Sequence, residues 1–255
     1  PSTSLCAFVT LLNDRLGESI VFPLLPFLLA SFTSNGRTLG LLAGSYALAQ
    51  FAFTPLIGAL SDRYGRKPVI AACVAGSVLG LGLFAVTLSI NWQAIPWAAG
   101  TAIPLALLFG GRLIDGVSGG TAATAGAVLA DISTPENRAK AFGLIGVAFG
   151  LGFILGPVLG SQAFKHFGLA GPGVVAAVIC AINFVLGCII LPETRKKDAA
   201  PPVRRPRFEQ IRHVLAMKEV GFLIGIYFLG TFAFTAFEST LPLLLDAKLK
   251  FDEEH

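Results

Sequence analysis

Seven long apolar stretches run through this chain, at residues 5–30, 38–60, 68–90, 98–125, 142–164, 172–191 and 219–245. A helix of about 20 apolar residues is long enough to cross the hydrocarbon core of a bilayer. Hydrophobic residues make up 54% of the sequence and charged residues only 13%, against roughly 25% charged residues in soluble domains. The pattern predicts an all-α membrane protein with about seven transmembrane helices.

The connections between these stretches differ in charge, and the difference predicts an orientation. Most of the 19 Lys and Arg residues follow the second, fourth and sixth stretches, and loops rich in Lys and Arg stay on the cytoplasmic side. We therefore expect a multi-pass protein of the plasma or inner membrane with a cytoplasmic N-terminus. The net charge of +4 then reflects topology, and no nucleic-acid partner is expected. The four cysteines and three histidines show no metal-binding spacing.

A long polar connection separates the sixth stretch from the seventh. Its second half places Phe208, Ile211 and Leu215 at helical spacing, which predicts a short amphipathic helix on the cytoplasmic membrane surface. The sequence thus divides into a six-helix half at 1–191, a cytoplasmic linker at 192–218 and the first helix of a second half at 219–255. We expect the chain to be part of a longer protein.

Several ionisable residues lie inside the apolar stretches, where a charge costs roughly 2.5–3.5 kcal/mol to insert. They are Asp14, Arg15, Glu18, Arg112, Asp115 and Glu238. Asp14 and Glu18 share a helix face, and Arg15, about 100° away around the helix, need not share it. Arg112 and Asp115, three residues apart, can pair directly or face one cavity. Two interpretations stay open: these residues face a water-accessible cavity, or they form fixed ion pairs that only hold helices together. Of the six residues, Arg15 is the one for which we most expect a purely structural role.

Glycines recur at intervals of four residues in two of the stretches, which predicts close packing between helices. The fourth stretch has Gly116 and Gly120. The fifth has Gly146 and Gly150, followed by Gly152, Gly156 and Gly160.

The connection after the second stretch reads GALSDRYGRKPVI, residues 58–70. We expect Gly58 to permit close packing at the helix end. Asp62 is expected to accept hydrogen bonds from the first amides of the next helix, where a negative charge also interacts well with the helix dipole. Gly65 suits a tight turn, and Pro68 suits the first turn of a helix.

This segment resembles the signature cytoplasmic loop of the major facilitator superfamily. The matching residues are Gly58, Leu60, Asp62, Arg63, Gly65, Arg66 and Lys67. Arg112 and Gly116 resemble the fourth-helix motif of that family, with Asp115 where Gln is common. Residues 152–161 resemble its fifth-helix antiporter motif at Gly152, Gly156, Pro157 and Gly160, with Ser161 in place of the usual Gly. The turns DISTPENRAKAFG and LPETR are typical of the drug:proton antiporter branch, which includes tetracycline and multidrug exporters.

The resemblance implies a major facilitator bundle of twelve helices in two halves, with substrate bound between the halves near the midplane. It implies a transporter rather than an enzyme, working as a monomer without a cofactor on a proton gradient. The expected activity is proton-coupled antiport that exports small organic molecules by alternating access. Asp14, Glu18, Asp115 and Glu238 are then candidates for binding the proton or substrate, and Arg112 for holding or releasing a carboxylate.

The same resemblance implies two further roles. Asp62, Arg66 and Asp131 would form a charge cluster that stabilises the outward-open state, although Asp131 could instead be a solvated acid or a helix cap before Pro135. The Gly-xxx-Gly-Pro sequence of the fifth stretch would give a kinked, tightly apposed helix that seals the outer side.

Three other functions compete with export as interpretations of this sequence. A facilitator or proton symporter of a sugar or another metabolite is disfavoured by the antiporter-type motif in the fifth stretch. A seven-helix receptor is disfavoured by the cytoplasmic N-terminus and by the loop signature. A metal transporter would be expected to carry intramembrane His or Cys clusters.

Overall fold

Long α-helices make up almost all of the chain that the computed structural model describes, which is residues 3–33, 35–96, 101–195 and 216–249. The chain divides into two compact units: the first ends at Arg195 and the second begins at Lys196. The first unit holds α1 to α8 and the second holds α9. In chain order they are α1 Thr3–Val21, α2 Leu25–Ala30, α3 Gly36–Tyr64, α4 Arg66–Ser89, α5 Ile103–Ser118, α6 Thr121–Ile132, α7 Arg138–Phe167, α8 Gly171–Ile190 and α9 Lys218–Leu249.

The predicted all-α membrane fold is confirmed. Within the described residues, six helical segments are long and apolar enough to cross a membrane: α3, α4, Ile103–Ile132, α7, α8 and Lys218–Leu241. The first apolar stretch differs from the prediction of one helix, because it breaks after Val21 into α1 and the short α2. Pro23 has no backbone N–H with which to continue a helix. The predicted amphipathic helix with Phe208, Ile211 and Leu215 lies outside the described residues.

Local chemistry explains where several helices begin. The Oδ1 atom of Asn35 accepts a hydrogen bond of 2.9 Å from the backbone N–H of Arg37 and so caps α3. A proline occupies one of the first two positions of α2, α5 and α8. Proline suits this position because the first N–H groups of a helix have no partner within the helix.

In the first unit, α1 packs against α6, α7 and α8, while α4 lies between α5 and α8 and α3 packs against α5. One apolar cluster joins α2, α3, α4 and α5 through the fully buried side chains of Leu28, Leu42, Phe84 and Leu108. The arrangement leaves α1 and α5, the two helices with buried charges, inside the unit.

Glycines of α7 allow it to lie directly against α1. A Cβ atom on Gly156 would collide with the hydroxyl of Ser19, and one on Gly160 would lie 2.6 Å from the carbonyl oxygen of Ile20. The Ser19 hydroxyl donates a 2.7 Å hydrogen bond to the carbonyl of Gly152. The antiporter-type motif thus forms the α1–α7 contact, and α7 continues as a helix through Pro157. By contrast, a Cβ on Gly146 or Gly150 would meet no described atom within 4 Å, so the close packing expected there is not seen.

Close backbone contacts also fix α5. Gly80 of α4 and Gly111 of α5 face each other, because a Cβ on either would lie within 2.8 Å of the other residue's carbonyl oxygen. On the α3 side, a Cβ on Gly116 would lie 2.6 Å from the carbonyl oxygen of Tyr46. α5 is therefore held at backbone distance from both neighbours.

The turn between α3 and α4 depends on Gly65 and on a residue far away in sequence. Gly65 has φ 112° and ψ 157°, a region that is almost restricted to glycine. A Cβ there would also collide with the carboxylate of Glu193. That carboxylate accepts hydrogen bonds from the backbone N–H groups of Arg66, at 2.9 Å, and of Lys67, at 3.2 Å. Glu193 therefore caps α4, and the expectation that Asp62 would do so is wrong.

The close packing expected at Gly58 is also absent from the described part of the chain, where a Cβ on Gly58 would meet nothing within 4 Å. The carbonyl of Gly58 instead accepts a hydrogen bond of 2.9 Å from the Ser61 hydroxyl. Pro68 lies in the first turn of α4, as predicted.

Substitution of Gly156 by Ala should destabilise the protein, because the new methyl group overlaps Ser19 and overpacking of this kind costs about 1–3 kcal/mol. Gly82→Ala on α4 is the matched control, since a Cβ there would meet nothing within 4 Å among the described residues. Thermal unfolding of the purified protein in detergent gives the melting temperature of each variant. Equal melting temperatures for the two variants would contradict the α1–α7 contact.

Glu193→Gln should lower the melting temperature at neutral pH by about 2–4 °C, the effect of losing a helix cap worth about 1 kcal/mol. Burial alone would raise the pKa of the Glu193 carboxyl, but hydrogen bonds from the backbone N–H groups of Arg195, Arg66, Lys67 and Thr194 lower it below its usual range. A lowered pKa means that the stabilisation is complete above the ordinary pKa of Glu and is lost as the pH falls through the lowered value.

The difference between wild type and Glu193→Gln should therefore shrink as the pH falls below about 4. Glu219→Gln removes an exposed acid from the first turn of α9 and serves as the control. A constant difference from neutral to acidic pH would show that the Glu193 charge plays no part in the cap.

Candidate functional site

Three charged side chains of α1 form one group, in which Asp14 and Arg15 are buried and the Glu18 side chain is 26% exposed. The Arg15 guanidinium donates from Nη2 to Oδ2 of Asp14 at 2.6 Å and from Nη1 to a carboxylate oxygen of Glu18. Its carbon atom Cζ also lies 4.9 Å from the centre of the Phe149 ring on α7. Asp14 and Arg15 are each 8% exposed. Arg15, which the helical period placed on a different face, therefore joins the two acids.

A second buried pair lies on α5. Nη1 of Arg112 is 3.4 Å from Oδ2 of Asp115, and the Arg112 side chain is 0% exposed. Asp115 also hydrogen-bonds the hydroxyl of Ser77 on α4. The contact between α4 and α5 at Gly80 lies against the backbone of Asp115, so the same close approach that fixes α5 also sets the position of its acid.

Tyr46 on α3 contacts Arg112 and lies within electrostatic range of the α1 group. Its ring centre is 4.3 Å from Cζ of Arg112, and the charges of Glu18 and Asp115 both act on its hydroxyl. Nε2 of Gln50 is 3.2 Å from that hydroxyl and donates to the carbonyl of Gly119 at the same distance. The acids of α1 and α5 therefore belong to one electrostatic site that spans α1, α3 and α5.

The site has more hydrogen-bonding capacity than the described contacts use. Nε and Nη2 of Arg112 and Nε of Arg15 are buried and have no hydrogen-bond partner among the described residues. A buried donor without a partner costs free energy, about 1–3 kcal/mol for a neutral group and more for a charged one. Arg112 in particular keeps two unused donors, Nε and Nη2, beside its contact with Asp115.

Sequence analysis missed three residues that contact the site, Tyr46, Gln50 and Phe149. It also missed Asn183, which bonds the α1 backbone at Thr10. A signal was present for three of them. Tyr46 and Gln50 are polar residues one helical turn apart in an apolar stretch, and Asn183 interrupts an otherwise apolar one. Phe149 gives no such signal, because an aromatic residue is ordinary in a membrane helix.

Glu238 lies on α9, which belongs to the second unit. Its part in the site stays a prediction.

The charged residues of the α3–α4 turn form a separate cluster. Arg66 donates from Nη1 to Oδ1 of Asp62 at 2.6 Å, and from Nε to Oδ2 of Asp131 at 3.0 Å. Nη1 also donates to the Ser61 hydroxyl at 2.7 Å. Asp131 stands in the last turn of α6, so the cluster ties the α3–α4 turn to the end of α6.

The two remaining cations of the turn act differently. The Arg63 guanidinium lies 5.3 Å from the centre of the Tyr64 ring, and the Arg63 carbonyl accepts a 2.6 Å hydrogen bond from Nη1 of Arg195. Lys67 contributes its backbone N–H to Glu193.

Comparison with known proteins gives concordant results. Residues 5–252 match the family model described as Major Facilitator Superfamily. Over 225 residues the chain is 35% identical to the tetracycline resistance protein, class C, of Escherichia coli, covering 86% of this chain and 53% of that protein. It is 28% identical to multidrug resistance protein 2 of Bacillus subtilis, covering 96% of this chain and 59% of that one.

A solved structure agrees in fold. The crystal structure of the human organic anion transporter MFSD10 superimposes with a TM-score of 0.69 at 26% identity, covering 99% of this chain and 67% of that one. The chain spans about half the length of the tetracycline resistance proteins that it matches. The family match extends from α1 through α9, and the chain is accordingly a member of the Major Facilitator Superfamily and an integral multi-pass membrane protein.

Proposed function

We propose that this protein exports small organic molecules by proton-coupled antiport and alternating access. The observation that carries the proposal is the buried site that joins α1 and α5 around Tyr46. The names of the relatives, which refer to tetracycline resistance, multidrug resistance and organic anion transport, support an organic substrate. We further propose a cytoplasmic N-terminus in the plasma or inner membrane.

The balance of charges in the site supports proton binding. Three carboxylates, those of Asp14, Glu18 and Asp115, share two guanidinium groups, those of Arg15 and Arg112. One negative charge is therefore in excess in an apolar surrounding, where an uncompensated charge is costly. A single proton would neutralise the excess, and its arrival or departure would change the energy of the site.

Arg112 offers a way to link that proton to the substrate. Its unused donors, Nε and Nη2, are buried, and it is bound to Asp115 through one long contact of 3.4 Å. Protonation of Asp115 would release Arg112 for another carboxylate or for an electron-rich group of the substrate. A ligand that binds one charge state better shifts the balance between inward-open and outward-open forms.

The turn cluster supports the conformational switching that alternating access requires. Arg66 holds Asp62 and Asp131 together, and these contacts must differ between conformations if the turn takes part in switching. We propose that the cluster stabilises the outward-open form. The glycine contact between α1 and α7 supports export in the same scheme, because it gives a helix pair without room for water along Gly152, Gly156 and Gly160.

Asp14→Asn should weaken coupling to the proton gradient, because the site would lose the excess charge that a proton neutralises. In proteoliposomes of the full-length protein, we expect a pH gradient to drive little uphill transport in this variant, while exchange at equilibrium continues. Glu136→Gln is the control for a lost exposed acid. An unchanged pH dependence in Asp14→Asn would exclude Asp14 as the proton site.

Asp62→Asn should reduce transport several-fold while leaving expression and membrane insertion intact, since it removes one of the two ion pairs of Arg66. Lys140→Gln, which removes an exposed charge from the first turn of α7, is the matched control. Transport is measured as drug efflux at equal protein levels. Wild-type rates in Asp62→Asn would refute a role for the turn cluster in switching.

A further inference from the structure

α8 contributes one polar side chain to the interior of the first unit. Of the membrane-spanning segments described, α8 has the highest mean hydropathy, 2.6, yet Asn183 in its second half is only 1% exposed. Nδ2 of Asn183 donates a hydrogen bond of 3.0 Å to the backbone carbonyl of Thr10 on α1. The amide is therefore attached to the backbone one helical turn before Asp14.

That hydrogen bond fixes the orientation of the Asn183 amide. A backbone carbonyl can only accept, so the nitrogen must face Thr10 and the oxygen must point away. Oδ1 is buried and has no partner among the described residues. A buried acceptor without a donor costs about 1–3 kcal/mol, so a donor that reaches Oδ1 in part of the transport cycle would recover that cost.

Asp14 is the side chain best placed to be this donor. Residues four apart lie on one face of a helix, and a helical side chain leans toward the N-terminus, so we expect the Asp14 carboxyl over the turn that begins at Thr10. The preceding turn of α8 faces the same part of α1: a Cβ on Gly17 would lie 2.8 Å from Sγ of Cys180. The charge of Asp14 also acts on the Cys180 thiol.

We propose that Asn183 is a positioning residue for the Asp14 carboxyl. Nδ2 anchors α8 to the α1 backbone, and Oδ1 accepts the hydrogen of the carboxyl O–H once Asp14 has bound a proton. Only the protonated acid has a hydrogen to donate, so Asn183 favours the loaded state over the charged one. The inference rests on the proposed role of Asp14 as a proton site.

Other charged and titratable groups around Asp14 also bear on whether its carboxyl is charged or protonated. They are Arg15 and Glu18 on α1, Tyr46 on α3, Cys73 on α4, Arg112 and Asp115 on α5, and Cys180 on α8. Arg15, the cation in direct contact, favours the charged carboxylate. Asn183 supplies the opposing preference.

The test is Asn183→Leu, which keeps the size of the side chain and removes both hydrogen-bonding groups. In proteoliposomes of the full-length protein, the midpoint of the pH dependence of transport should move about 0.5–1 unit toward acid, because one hydrogen bond to the protonated form is lost. Val178→Leu, at an exposed position of α8, should leave the midpoint in place. In the Asp14→Asn background, Asn183→Leu should cause no shift.

A second measurement does not require transport. Hydrophobic carbodiimides react with protonated carboxyl groups in apolar sites, so the extent of labelling of Asp14 against pH, read from the mass of its peptide, reports its protonation in purified protein. Asn183→Leu should move this curve toward acid by the same amount. Asn183→Gln, which retains both groups, should move it less, and it replaces Asn183→Leu if that variant does not fold.

The outcomes separate the two proposals. If Asp14→Asn flattens the pH dependence but the Asn183 variants leave both curves unmoved, the positioning role is wrong and the proton site stands. If Asp14→Asn changes nothing, the proton site is wrong, and the positioning role falls with it. A shift that persists in the double variant would show that Asn183 acts on another group and would also overturn the inference.

Discussion

The first unit is organised around the need to give every buried cation a carboxylate. Removing a guanidinium from water costs several kcal/mol unless it is paired and hydrogen-bonded. Arg15 meets this need within its own helix, with an acid immediately before it and another three residues after it. Because both partners of Arg15 belong to α1 itself, α7 can lie directly against this group at Gly152. For the same reason α1 can occupy the interior of an apolar bundle.

The distance between helix backbones decides how the two charged groups influence each other. α5 has glycines on the side that faces α4 and on the side that faces α3. Side chains there would separate the helices, and Tyr46 would no longer lie over Arg112. The small residues therefore have an electrostatic effect as well as a packing effect, since charges in a medium of low polarity interact strongly over the resulting short distances.

Hydropathy predicted the helices well because the cost of exposing backbone groups to lipid leaves few other structures. The break at Pro23 and the capping of α4 by Glu193 were missed. The second could not be read from local sequence, because the capping acid comes from 127 residues away, whereas Asp62 is adjacent and of the right type. Tyr46 and Asn183 gave a signal as polar residues in apolar stretches, but a weaker one than the charges, because an uncharged polar residue costs less in a membrane helix than an ionised one.

The geometry at Gly65 has an evolutionary consequence. Two independent constraints meet at this residue: a backbone conformation that only glycine adopts easily, and a carboxylate lying where a side chain would begin. Shortening the acid at 193 would relieve the collision but not the torsional strain, because the backbone at Gly65 lies outside the left-handed turn region that Asn tolerates. A replacement of Gly65 therefore keeps a cost that no change at Glu193 removes, and we expect this position to resist drift even where its neighbour varies.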